Sequence, residues 1–146
     1  MREIKFRVFD AKQFKFLEIG DFIDETWQFN GVAGLKKIGV LAYQIRENGA
    51  LNSKLICDDE RFKIEQFTGL YDKNKTEIYE GDIVKFNEYD FGKWKETTKK
   101  VVFNTEQAEF TLQEYPLDFY MAEKCEIIGN IYENPNPLKD TNKTIW

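Results

Sequence analysis

Gln66 to Phe86 reads QFTGLYDKNKTEIYEGDIVKF, two apolar runs around a polar centre, and the rest of the chain is organised around it. Phe67, Gly69 and Leu70 close the first run; Ile78, Tyr79, Ile83, Val84 and Phe86 form the second, with Glu80-Gly81-Asp82 set inside it. Between the runs, Asp72 can accept bonds from the backbone ahead of it and Asn74 tolerates a left-handed backbone, which is turn chemistry. Past the turn, Val84 and Phe86 share one face of a strand while Ile83 and Lys85 take the other. Gly81 is expected in a conformation that other residues resist, with Asp82 bonding back onto its own turn. Asp72, Asn74 and Thr76 also alternate like the first ligands of a calcium loop. Glu77 stands where that loop needs Gly and Ile83 where it needs Glu, so the calcium reading fails. Paired carboxylates do acid/base work when their surroundings split their pKa values, and nothing at Glu80 and Asp82 supplies such a split.

Outward from this centre, Ile4, Phe6 and Val8 alternate with charged or outward residues and Phe14 to Ile19 alternates again, which predicts an N-terminal antiparallel hairpin joined through Ala11 to Gln13. Residues 20–60 lose the pattern: Trp27 and Phe29 suggest a strand, Gly31 and Gly34 interrupt it, and the stretch reads as an irregular insertion. Asp58-Asp59-Glu60 within it reads as a solvated loop, because a divalent ion needs further converging carboxylates. Phe62 to Phe67 predicts a strand. Asn87 to Lys100 is a charged ribbon with a turn at Phe91-Gly92, a protruding hairpin whose Trp94 lies among Lys93, Lys95, Lys99 and Lys100. Val101 to Phe103 and Ala108 to Leu112 flank Asn104-Thr105-Glu106-Gln107, another hairpin. Pro116 to Met121 makes a connection with one helical turn. Glu126 to Tyr132 is a strand in which Gly129 marks a bulge. A single domain over residues 1–138 is followed by a tail, 139–146, with Ile145-Trp146 docking on a neighbour.

The composition narrows the function. The chain has 146 residues, 21 basic and 26 acidic side chains, a net charge of -5 and no His. An acidic molecule offers no general field for phosphate backbones. The absence of His removes the commonest general base and the commonest imidazole metal ligand. No apolar run approaches the ~20 residues of a membrane span, and the start lacks a signal peptide's apolar core, so a cytosolic protein without membrane contact is expected. Cys57 and Cys125 read as unpaired, largely buried thiols. Thirteen Phe and seven Tyr favour a sheet-rich fold.

Three segments in order, MREIKFRVFD at residues 1–10, QFTGLYDKNKTEIYEGDIVKF at 66–86 and EIIGNIYENP at 126–135, resemble the hallmarks of the YopX family of small bacteriophage and prophage proteins. The resemblance implies a mainly β (β-rich α+β) fold with an SH3-like barrel, and a phage or prophage origin in a low-GC Gram-positive host. It implies no catalytic residue and no cofactor. The chain departs from the family's central Asn-Gly turn with Asn74-Lys75, which moves the left-handed position to Asn74 or widens the turn. The expected function is a non-enzymatic protein-interaction module for a host or phage protein, with Tyr79, Glu80, Trp94, Tyr132 and Asn134 as candidate binding surface. A homo-oligomer fits exposed strand edges. The alternatives are a nucleic-acid-binding protein that uses the Lys93 to Lys100 ribbon, and, less favoured, a metal-dependent hydrolase built on Asp58, Asp59, Glu80 and Asp82.

Overall fold

The computed structural model describes residues 3–34 and 37–134, and over them the protein is mainly β, with antiparallel strands and one short helix. The expected docking of Ile145-Trp146 lies outside the described residues. The chain divides into two compact units, Phe6–Glu65 and Met1–Lys5 with Gln66–Trp146.

In the first unit, β1 (Phe6–Asp10) and β2 (Lys15–Phe16) form the N-terminal hairpin, with Phe9 opposite Phe16 and Asp10 opposite Lys15. β2 is shorter than its alternation suggests because Phe14 sits in the turn at φ 56, its N–H donating to the Asp10 carbonyl at 2.7 Å. Residues 20–60 depart from the expected irregular insertion. β3 (Phe22–Asp24), β4 (Trp27–Ala33), β5 (Gly39–Ile45) and β6 (Leu51–Ile56) make a four-stranded antiparallel sheet in chain order. Two effects hide it from periodicity. Register shifts at Phe22/Asp24 and Phe29/Val32 break the alternation. In addition, the face of β5 and β6 opposite the buried Val40 and Ala42 also carries apolar side chains, Leu41, Ile45, Leu51 and Leu55. With β5 apolar on both faces, and β6 carrying Asn52 and Lys54 on the inner face and leucines on the outer, the period of two no longer marks the buried side. Val8, Leu17, Ile23, Phe29, Val40, Ala42 and Phe62 form the core. The three-acid run is a capped loop: Asp58 Oδ1 accepts from the Glu60 and Arg61 N–H groups at 3.2 and 3.1 Å.

β7 (Phe62–Tyr71) continues from the first unit into the second, where it pairs with β8 (Glu77–Tyr79), Phe67 opposite Tyr79. The register shifts along this pair, at the place where Gly69 takes φ +86. The turn between them is closed by Asp72, whose Oδ1 accepts from the Asn74 and Thr76 N–H groups, each at 2.9 Å. The left-handed position falls on Lys75, at φ 66, and not on Asn74. A lysine there keeps its Cβ close to the following carbonyl, a strain that glycine lacks. Lys75→Gly is expected to stabilise the protein by about 0.5–1 kcal/mol after the glycine's extra unfolded-state entropy is subtracted. A urea midpoint that rises at unchanged slope would show it; a lower midpoint would mean that no strain is relieved.

The rest of this unit is a five-stranded sheet in the order β12-β11-β10-β9-β13, built from β9 (Asp82–Asp90), β10 (Lys93–Asn104), β11 (Glu109–Leu112), β12 (Tyr115–Pro116) and β13 (Glu126–Asn130). The helix α1 (Phe119–Lys124) starts on Asp118, which accepts from the Met121 N–H at 2.8 Å. Gly81 takes φ +88, and the buried Asp82 accepts from the Tyr79 N–H at 2.8 Å, so this turn has the form that its residues predict. β13 shifts register between Ile127 and Gly129, the bulge expected of its glycine. Ile78, Val84, Phe86, Val101, Phe110, Leu112 and Cys125 pack the core. Burial pushes the Cys125 thiol up to about 12. Cys57, in contrast to its expected burial, is exposed, and neither thiol is in a disulfide. No helix of the described residues is long and apolar enough to cross a membrane.

Candidate functional site

β9 and β10 outrun their neighbours. β13 pairs with β9 only as far as Lys85, and β11 meets β10 only from Val101, whereas β9 and β10 remain paired out to Asp90 and Lys93. Among the described residues, Phe86 to Asp90 and their partners therefore form a two-stranded arm about 16 Å long. Its turn is the two-residue loop Phe91-Gly92, at φ 49 and φ 80. Positive φ at both positions is the type I′ geometry that suits the twist of a hairpin, and it favours Asn-Gly or Gly-Gly.

Three aromatics crowd this tip. Tyr89 and Trp94 face each other across the strands with ring centroids 5.2 Å apart, edge to face. They are 60% and 71% exposed, and Phe91 is 97% exposed. Phe91 carries two costs at once: a left-handed backbone unusual for a bulky residue, and an apolar ring left almost wholly in water.

The other face of the arm is polar and tied down. Glu88 accepts from the Tyr115 hydroxyl at 2.5 Å and from the Thr97 hydroxyl at 2.9 Å. The bond to Tyr115 is the main cause holding the Glu88 carboxyl below its usual range, and the same bond, with burial, pushes the Tyr115 hydroxyl up to about 12. Lys95 lies 3.4 Å from Asp90, and Lys99 pairs with Glu114 at 2.7 Å. Alternation puts Lys93, Lys95 and Lys99 on this face and Trp94 on the opposite one with Glu96, Thr98 and Lys100. The lysines and the tryptophan that the sequence sets side by side are thus divided between two faces.

Tyr79, Glu80, Tyr132 and Asn134 gather instead at the far end of β9, around the Gly81 turn. Gly81 accepts from the Ile131 N–H at 2.9 Å, Glu80 exchanges bonds with the Gln66 backbone, Tyr79 tilts against Phe67 at 5.4 Å, and the Asn134 N–H reaches the Asn130 carbonyl at 2.8 Å. Eight residues of β9 separate this turn from Asp90, about 26 Å of strand, so the five candidate residues form no single surface. Tyr89 and Phe91, which are not among those five, join Trp94 at the tip. The available signal was Phe91-Gly92 itself, since a two-residue hairpin turn seldom places Phe in its first position.

The carboxylates weighed for metal chemistry do not converge. Among the described residues, no group of three or more Asp, Glu or Cys could hold an ion. An open depression of about 570 Å³ is lined by Lys12, Asp24, Trp27 and Gln44 among others, and its Asp24 is engaged by Arg61 at 3.0 Å.

A family model described as YopX protein matches residues 5–139. Among solved structures, the chain is similar to the crystal structure of protein EF1440 from Enterococcus faecalis, with 23% identity and a TM-score of 0.58, over 94% of this chain and 99% of that one. That likeness concerns the fold. No curated protein matches the chain.

Proposed function

The chain belongs to the YopX family, and from that premise we propose that it is a non-enzymatic protein-interaction module that engages its partner with the Tyr89–Phe91–Trp94 tip of the β9–β10 arm. The single observation that carries this is Phe91, 97% exposed at φ 49. A residue that strains the backbone and contacts almost nothing within its own chain is accounted for by a contact outside it. Tyr, Phe and Trp are also the side chains that dominate binding energy at the centres of interfaces. In this reading the second unit is an SH3-like barrel, the tip inserts into an apolar pocket on a host or phage protein, and the setting is the cytoplasm of a bacterial host that carries the phage or prophage.

The paired lysines weigh against the nucleic-acid alternative, because a lysine neutralised by Asp90 or Glu114 releases few counterions from a phosphate backbone. Fluorescence anisotropy with single- and double-stranded oligonucleotides at low salt is expected to show no salt-sensitive binding.

Phe91→Asn separates the two roles of the tip. Asparagine suits the I′ turn, so stability is expected to rise by about 0.5–1 kcal/mol while partner binding falls. Affinity capture from host extract, with the wild type compared against Phe91→Asn and Trp94→Ala, reads the second effect. Proteins retained by the wild type and lost by both variants support the proposal. Retention unchanged by either variant defeats it.

A further inference from the structure

The edge of the first unit's sheet carries a separate signal, independent of the hairpin tip. Among the described residues, β6 is the last strand of its sheet. Its register on β5 runs unbroken from Val40↔Ile56 to Ile45↔Leu51, so no bulge turns it aside. It contains no proline, and its one charged residue, Lys54, lies over the Trp27 ring at 4.1 Å. Bulges, prolines and outward charges are the devices by which an exposed edge avoids pairing with another chain. β6 has neither bulge nor proline, and its one exposed charge, Lys54, lies on the face opposite its exposed leucines: Leu51 is 67% and Leu55 42% exposed, beside Ile45 at 64%.

The direction of its free backbone groups follows from the turn. Arg46 N–H donates to the Ala50 carbonyl at 2.9 Å, so the polar backbone groups of these two residues face each other across the hairpin. Alternation makes Gln44/Asn52, Ala42/Lys54 and Val40/Ile56 the next such pairs. The N–H and C=O groups of Leu51, Ser53 and Leu55 therefore point away from β5, and the side chains of these same residues share the apolar outer face.

We infer that two copies of this chain pair edge to edge through β6, antiparallel, about a two-fold axis at Ser53. In that register Ser53 faces Ser53 of the second copy, and Leu51 faces its Leu55. Each pair brings outward N–H and C=O groups into position to exchange two bonds. The interface is isologous, as a two-fold dimer requires. Leu51 of one copy and Leu55 of the other then lie side by side, and with Leu41, Tyr43 and Ile45 they join into an apolar strip across both sheets. A shift by one residue opposes groups that point the wrong way, and a shift by two leaves a leucine without its counterpart. The pattern Leu-x-Ser-x-Leu thus selects one register.

Sedimentation velocity on the whole protein tests this. The wild type is expected to sediment as a dimer of the 17.3 kDa chain at concentrations up to about 100 µM. Ser53→Pro removes an N–H that β5 does not use, and Leu55→Lys puts a charge in the strip. Each is expected to raise the dimer dissociation constant about tenfold or more, with circular dichroism unchanged. If Ser53→Pro disturbs the strand, Leu55→Lys still gives the readout. Phe91→Asn should leave the dimer intact, which keeps this test distinct from that of the tip. A wild type that stays monomeric at the highest concentration, or a dimer that survives Leu55→Lys, overturns the inference.

Discussion

Arg61→Leu is expected to cost the protein about 3–5 kcal/mol of stability, the range for removing one partner of a buried ion pair. Arg61 grips Asp10 with two parallel bonds, Nε to Oδ1 and Nη2 to Oδ2, both 2.9 Å. Its Nη1 reaches Asp24 at 3.0 Å and its Nη2 also reaches the Ile23 carbonyl at 2.8 Å, while the guanidinium lies over Phe62 at 4.7 Å. Asp10 is fully buried. With leucine in place of arginine, its carboxylate keeps only neutral donors, the Lys12 and Gln13 N–H groups and the Gln13 side-chain amide, and the desolvation of the charge goes uncompensated. Arg61→Lys should rescue little, because one ammonium cannot reproduce the planar fork. The double variant Arg61→Leu, Asp10→Leu should recover much of the loss, since no charge is left to strand.

The pH dependence of this pair has a definite sign. Burial pushes the Asp10 carboxyl up, but its bonds from Arg61, Gln13 and Lys12 together outweigh burial and hold it below its usual value. A carboxyl lowered in the folded state contributes stability above its unfolded pKa of about 3.9, and that contribution is lost as pH falls through the folded value. The gap between wild type and Arg61→Leu should therefore be widest near neutrality and close in acid. Urea unfolding at several pH values measures it; a gap below about 1 kcal/mol at pH 7, the range of exposed pairs, would show that the pair is effectively solvated.

The second large effect is expected at Asp72, in the stretch on which the fold turns. Its Oδ1 holds Asn74 and Thr76, and its Oδ2 accepts from the Ile127 N–H at 3.1 Å. One side chain thereby closes the central turn and fastens β13, 55 residues away. Asp72 is 3% exposed, so water cannot readily replace the carboxylate. Asp72→Ala strands three backbone donors and is expected to destabilise by about 2–4 kcal/mol. Asp72→Asn should cost less, because its single amide oxygen can keep the turn. Its NH₂ would then face the Ile127 N–H, donor against donor. Amide hydrogen exchange distinguishes the two sites: Ile127 should exchange faster in both variants, while Asn74 and Thr76 should do so mainly in Asp72→Ala. Protection at Ile127 unaltered in both would remove Asp72 from the fastening of β13.

The strands were legible wherever the side that met water was polar. Around 66–86 the apolar residues, Gly81 and Asp82 all follow short-range rules, and so do the Asn104 turn and the bulge at Gly129. The rules failed where that condition lapsed. Residues 20–60 hid a regular sheet because Leu41, Ile45, Leu51 and Leu55 put apolar side chains on its outer face, and two bulges reset the count. Lys75 shows a different failure: the residue with the better left-handed propensity, Asn74, lost to the hydrogen-bond geometry that Asp72 imposes on the loop.

Local sequence was enough to establish a mainly β chain, the places where it turns, and the residues that close those turns, because alternation and turn chemistry act within a few residues. The pairing of Asp10 with Arg61, the splitting of Lys93, Lys95 and Lys99 from Trp94, the separation of Tyr79 and Glu80 from the hairpin tip, and the outward backbone of Leu51, Ser53 and Leu55 came only with the folded chain. Each depends on which strand lies beside which and in what register. A shift of one residue reverses every side chain and every free N–H, and that choice is made by contacts between distant parts of the chain.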